Sequence, residues 1–427
     1  MTAWLNDPNT RWVLTGCVML GACSGLLGSF AMLRRRSLLG DALAHAALPG
    51  ICLAYLISGG QRSLPLMMAG AFLAGLLGAF CVQAVTRYSR IKEDAALGMV
   101  LTVFFAFGIV LLTLILRTGG QKAGLDKFLF GQAASLVGSD VRIMVICSLL
   151  AGLVAIGLYK ELKLLCFDPG FADSLGFPSA WLDALLNLLI VAIVVIGLQA
   201  VGVVLMVALL ITPAAAARYW TDSLSRMVCL AGAIGAFSGA LGTYFSTLAP
   251  RLATGPLIVL SAAVFFLLSL FLAPRRGLAA KAWRGWTLRR KVARENTLRS
   301  IFEWAERENA WNQPIPVEKI AARRGQNPSR TVHNLTLLAR EGLVQFQEGK
   351  AYLSEAGRGE AHRVTRNHRL WEMYLMHEQE LRSDHVDRDA DIIEHVLNPD
   401  TVAELEELLR QHGLEPQRPP SPHPLPG

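Results

Sequence analysis

Up to Pro274 this chain is a succession of apolar segments, each near the length of a bilayer crossing. They lie at about 12–33, 41–58, 64–86, 95–116, 141–159, 181–199, 201–217, 226–248 and 255–273. A segment in lipid has no water to satisfy its backbone, so each must be a helix bonded within itself. From Arg275 onward the sequence is charged and polar, with no run long enough to span. The 53% hydrophobic content of the 427 residues is the average of these two unlike parts. The expected architecture is an all-α polytopic membrane bundle of about nine transmembrane helices followed by a water-soluble part. All seven cysteines fall in the apolar part without a CxxC pair, which suits buried thiols rather than a disulfide framework. The first apolar run has no basic leader and reads as a retained span, not a signal peptide.

The basic loops orient the bundle. Clusters follow the first span (Arg34, Arg35, Arg36), the third (Arg87, Arg90, Lys92), the fifth (Lys160, Lys163), the seventh (Arg218) and the ninth (Arg275, Arg276, Lys281, Arg284). With nine spans all five fall on one side, which the positive-inside rule makes the cytoplasm. That side also faces anionic lipid, which suits the net charge of +8. Stretches such as GACSGLLGS and AGAIGAFSGALG carry the small-residue spacing of closely packed membrane helices.

Within this setting SLLGDALAHAALPG, residues 37–50, places Asp41 and His45 four residues apart on one helical face. Ionisable side chains in a membrane usually face a water-filled path; the alternative is a polar contact fastening two helices. Carboxylate with imidazole suits a borderline divalent cation such as Mn, Zn or Fe. Pro49-Gly50 is expected to break the helix and free carbonyls beside them.

RRRSLLGDALAHAALPGICLAYL resembles the signature segment of permeases of ABC importers for manganese, zinc and iron. SRIKEDAALGMVLTVFFAFGIVL, LDKFLFGQ and GLQAVGVVLMVALLITPAAAARYW resemble further segments of that family, so the likeness covers residues 10–275. It implies that Asp41 and His45 belong to the metal pathway. It implies that CFDPGFADSLGFPSAWL is the segment that couples to the ATPase, with Phe171, Ala172 and Gly176 at the contact. No GxxxxGK[ST] stretch occurs in the chain, so the implied ATPase is a separate subunit. The resemblance also implies a metal-binding protein outside the cell and a second permease copy or a sister permease.

After a basic cytoplasmic linker at 276–293, residues 294–355 read as a winged helix-turn-helix. VEKIAARRGQNPSRTVHNLTLLAREGLV gives helix, turn at GQNP and a second helix capped near Ser329; VQFQEGKAYLS gives two short strands. Ser329, Arg330, Thr331, His333 and Asn334 would head the helix offered to operator DNA, with Arg323, Arg324 and Arg330 near phosphates. A winged helix used for protein contact is the alternative. Residues 356–411 are helical and repeat the His–carboxylate theme. His368 and Glu372 stand at i, i+4, and Asp391, Glu394 and His395 at i, i+3, i+4. Residues 412–427 form a Pro-rich tail expected to be disordered.

Residues 292–411 resemble the diphtheria-toxin-repressor (DtxR/MntR-like) family of metalloregulators. That resemblance implies that these five side chains are regulatory metal ligands. The family also draws ligands from the first helix, where this chain has Asn296 and Arg299, and an arginine cannot ligate.

The combined expectation is a permease subunit of a divalent-metal ABC importer in the bacterial inner membrane, itself not an enzyme. It carries a cytoplasmic domain that senses metal, binds DNA or merely dimerises. An ion-coupled secondary transporter and a membrane-tethered transcription regulator are the alternatives.

Overall fold

The computed structural model describes residues 8–36, 38–60, 63–117, 136–249, 252–323, 325–378 and 399–411. The chain divides into two units, Met1–Lys281 and Ala282–Gly427.

The first unit is helical. Its elements are α1 (Pro8–Leu33), α2 (Leu39–Ile57), α3 (Leu64–Tyr88), α4 (Glu93–Arg117), α5 (Gly138–Gly157), α6 (Tyr159–Phe167), α7 (Pro169–Ser174), α8 (Ser179–Ala200), α9 (Val203–Trp220), α10 (Leu224–Ser246) and α11 (Thr254–Leu272). Among the described residues eight helices are long and apolar enough to cross a membrane, and α9 contributes a shorter apolar helix, Leu205–Trp220. The almost unbroken apolar stretch from 181 to 217 is divided at Gly202, whose φ of +94° is open to glycine and strained for other residues.

Helix α2 is central, packed against α3, α4, α8 and α9. It runs unbroken through Pro49 and Gly50, so the expected break is absent. Gly50 serves packing instead: a Cβ there would lie 2.1 Å from the carbonyl oxygen of Gly70 on α3. The same close approach joins α1 and α10, where a Cβ on Gly21 would meet the Gly235 carbonyl at 2.2 Å. The small-residue stretches thus set helix separations where lipid gives no hydrophobic drive for association.

The second unit begins within α12 (Leu278–Arg307). Residues 281–291, expected as a linker, are helical and exposed, and burial starts near Val292. Then come β1 (Ile315–Pro316), α13 (Val317–Arg323), α14 (Pro328–Arg340), β2 (Val344–Gln347), β3 (Lys350–Leu353), α15 (Glu355–Glu378) and α16 (Pro399–Gln411). The antiparallel sheet has the order β1-β3-β2. Its β2–β3 hairpin turns on Glu348 and Gly349, both at positive φ, as a two-residue turn matched to strand twist requires. Leu298, Phe302, Ile320, Leu335, Leu338 and Val344 form the core. The cap of α14 is Asn327, which accepts from the Ser329 N–H at 3.0 Å; Ser329 itself is inside the helix.

Candidate functional sites

From Leu39 to Cys52 every residue of α2 is buried except Asp41 and His45. The side chains of Asp41 and His45 keep 32% and 17% of their surface, so this polar stripe opens on accessible space. His45 Nε2 lies 3.4 Å from Asp41 Oδ1. Two donor atoms each about 2.1 Å from one ion stand about 3.4 Å apart at a tetrahedral angle, so the pair has the bite of a shared divalent cation. The His45 ring is held edge-on to Phe105 of α4, centroids 4.8 Å apart. Its Nδ1 is buried with no hydrogen-bond partner among the described residues. Pro49, one turn on, has no N–H to offer the His45 carbonyl. The apolar cleft of about 480 Å³ between α1, α5 and α10, lined by Met19, Cys23, Phe30, Tyr159 and Val228, has no such ligands and is not part of this stripe.

Just before α2 the arginines read as a basic loop behave differently from one another. Arg35 is exposed at φ +60° and turns the chain at the end of α1, while Arg34 and Arg36 are turned inward. Arg34 donates to Asp183 of α8 at 2.9 Å and to the Leu165 carbonyl of α6 at 3.1 Å. Arg36 donates to both Asp183 oxygens at 2.7 and 2.8 Å and pairs with Glu93 at the start of α4. This ionic knot ties four segments together at the foot of α2. Hydropathy missed it, because Asp183 reads as one tolerated charge near a span end.

The α6–α8 connection positions the expected coupling residues. Asp168 caps α7 by accepting from the Phe171 N–H at 2.9 Å, and Asp173 accepts from the Ser179 N–H at 3.2 Å. Phe171 is 52% exposed, whereas Ala172 is fully buried and supports the turn from within. Gly176 lies at φ +83° with open space where a Cβ would be. Leu175, Phe177 and Trp181 are exposed beside Phe171 and were missed by sequence reading. An exposed apolar group on a turn among charged loops is the signal that could have found them.

In the second unit, Ser329, Arg330 and His333 are exposed at the start of α14 and Asn334 is half-buried. Thr331 is 1% exposed and turns into the domain, so it is not available to a surface partner. Arg323 is held by Glu303 at 2.9 Å, and Arg324 lies outside the described residues.

His368 and Glu372 on α15 are each 2% exposed, with His368 Nε2 3.2 Å from Glu372 Oε1. Among the described residues the pair is met by a cation: Arg299 Nη1 of α12 lies 2.5 Å from His368 Nδ1. Asn296, one turn earlier, offers only a neutral oxygen. Asp391, Glu394 and His395 lie outside the described residues. Among the described residues no group of three or more His, Cys, Asp or Glu side chains could hold a metal ion. At the His368–Glu372 pair the described residues thus supply two ligand-type side chains and a guanidinium. Elsewhere on α15, Arg363 beside Glu360 holds that carboxyl below the usual range despite its partial burial.

Residues 6–273 match the ABC 3 transport family, and residues 354–423 match the iron dependent repressor, metal binding and dimerisation domain. The chain is 47% identical to the manganese transport system membrane protein MntC of Bacillus subtilis, over 97% of this chain and 94% of that one. It is 45% identical to the zinc transport system membrane protein TroC of Treponema pallidum, over 67% of this chain and 95% of that one. Among solved structures it resembles PsaBC from Streptococcus pneumoniae in complex with Fab, with TM-score 0.56 and 34% identity over 64% of this chain and 94% of that chain. The chain belongs to the ABC 3 transport family, as a membrane permease with an iron-dependent-repressor domain fused at its C-terminus.

Proposed function

We propose that this permease moves a divalent transition metal, manganese ahead of zinc or iron, along a path lined by Asp41 and His45. One observation carries the reading. In a helix buried on every other side from Leu39 to Cys52, the two side chains left accessible are a carboxylate and an imidazole at the bite of one ion. A dehydrated cation among helices needs such donors, and an apolar wall cannot supply them. Manganese is favoured because a relative 47% identical over 97% of the chain bears that metal in its name.

The motor in this reading is a separate ATPase seated on Phe171, with Leu175, Phe177 and Trp181 as the apolar surround. ATP-driven movement there would reach the foot of α2 through Asp183 and the two arginines. A metal-binding protein delivers the ion on the far side, and a second permease copy or sister permease completes the pathway. The chain sits in the bacterial inner membrane with its C-terminal unit in the cytoplasm. That unit presents Ser329, Arg330 and His333 of α14 to operator DNA. Arg330→Ala should weaken DNA binding of the full chain, and unchanged binding would rule this out.

The test of transport is uptake of Mn, Zn and Fe, each in turn, in cells carrying the chain with its ATPase. Asp41→Ala and His45→Ala should lose uptake of one metal, and a chain truncated after Pro274 should keep it. Normal uptake by both point variants would make the pair a structural contact.

A further inference from the structure

We infer that Arg299 is the resident cation of the C-terminal domain: its guanidinium occupies the buried His368–Glu372 pair and closes it to divalent metal. The argument rests on which atoms hold lone pairs. A guanidinium only donates, so His368 Nδ1, 2.5 Å from Arg299 Nη1, is the acceptor in that contact. The proton of the neutral ring is then on Nε2, which faces Glu372 Oε1 at 3.2 Å and donates to it. Metal coordination needs a free imidazole lone pair. Here one nitrogen has given its lone pair to Arg299 and the other carries hydrogen.

Charge leads to the same conclusion. The Arg299 side chain is 12% exposed and those of His368 and Glu372 are 3% and 2% exposed, so little water screens a second cation from the guanidinium. Arg299 is itself held in place. Its Nε lies 3.4 Å from Glu303 Oε1, and Glu303 is braced by Arg323 at 2.9 Å. The row Arg323, Glu303, Arg299, His368, Glu372 alternates cation, anion, cation, imidazole and anion from α13 across α12 to α15. A domain of metal-binding type thus keeps a side chain as the cation of this pair.

The experiment uses the full chain in lipid nanodiscs, with Asp41→Ala and His45→Ala in place so that the proposed transport path does not contribute. Bound Mn(II) is counted by electron paramagnetic resonance. His368→Gln should leave Mn(II) affinity unchanged, and any ion held elsewhere in the domain should remain. Arg299→Glu should add one Mn(II) site, lost again in the Arg299→Glu, His368→Gln double variant. A tenfold or greater fall in Mn(II) affinity on His368→Gln in the chain that retains Arg299 would overturn the inference. If Arg299→Glu abolishes the thermal transition of the C-terminal unit, the His368→Gln comparison alone decides, because it leaves Arg299 in place.

Discussion

Two helices of this chain carry the same motif, a histidine and a carboxylate one turn apart. Asp41 and His45 on α2 are separated by 3.4 Å, and His368 and Glu372 on α15 by 3.2 Å. By spacing and distance both could grip one ion. Their surroundings separate them. The first pair is the accessible part of an otherwise buried stretch, and its third neighbour is an aromatic ring, Phe105. The second pair is sealed and, among the described residues, is met by the guanidinium of Arg299. A ligand motif on one helix states what could bind. The side chain brought in from a distant helix decides whether the place is already taken.

The largest effect should come from testing the two pairs in one assay. His45→Ala should abolish metal uptake by cells expressing the chain with its ATPase, since a dehydrated ion loses one of two side-chain ligands. His368→Ala should leave the uptake rate within twofold of wild type. Equal loss in both would erase the distinction between an open pair and an occupied one.

Asp183 is the next case, because it is a carboxylate that has its own arginines. If an anion already paired in this way is structural, Asp183→Ala should destabilise the membrane unit by about 3 kcal/mol, leaving Arg34 without its anion and Arg36 with Glu93 alone. Thermal unfolding in detergent would show it. Any uptake that survives should keep the wild-type order of metal preference; a changed order would move Asp183 into the pathway.

These cases also mark what the sequence could and could not reveal. Span lengths and the i, i+4 stripe on α2 were legible, because helical period and bilayer thickness fix them locally. The winged helix was legible from its turn residues, Asn327-Pro328 and Glu348-Gly349. Hydropathy gave two nearly continuous spans at 181–199 and 201–217 but not the form of their junction, which the backbone of Gly202 supplies. The roles of Arg34 and Arg36 were hidden, because their partner is some 147 residues away and three adjacent arginines look like a loop. Arg299 was half visible: an arginine near a ligand position was plain, but not that it reaches His368 across 69 residues. In each miss the deciding contact is long-range and electrostatic, and no local period reports it.

Removing the resident cation sharpens the comparison from the other side. Arg299→Ala leaves His368 Nδ1 buried without its donor and should cost about 2 kcal/mol, a typical loss for a buried hydrogen bond to a charged group. The readout is the thermal transition of the C-terminal unit in the full chain. Mn(II) should restore part of that loss in the variant, beyond any stabilisation that an ion held elsewhere gives wild type; stabilisation of both to the same extent would mean that Arg299 does not compete with metal.

The smallest effect lies on the surface of α15, where Glu360 meets Arg363 at 2.8 Å with 28% and 53% of the side chains exposed. The pairing is the same in kind as the buried ones, carboxylate with arginine, but water screens it. At i, i+3 on a helix such a pair contributes about 0.3 kcal/mol. Arg363 holds the Glu360 carboxyl below its ordinary value, so the folded state binds its proton less readily than the unfolded chain. The contribution is therefore complete above the ordinary carboxylate range, roughly pH 5 and higher, and disappears as pH falls through the lowered folded value. Glu360→Gln should shift the transition of the C-terminal unit by only about a degree at pH 7 and by nothing measurable in strong acid. A shift as large as that of Arg299→Ala would mean that exposure does not set the scale, and the contrast between open and occupied pairs would have to rest on chemistry alone.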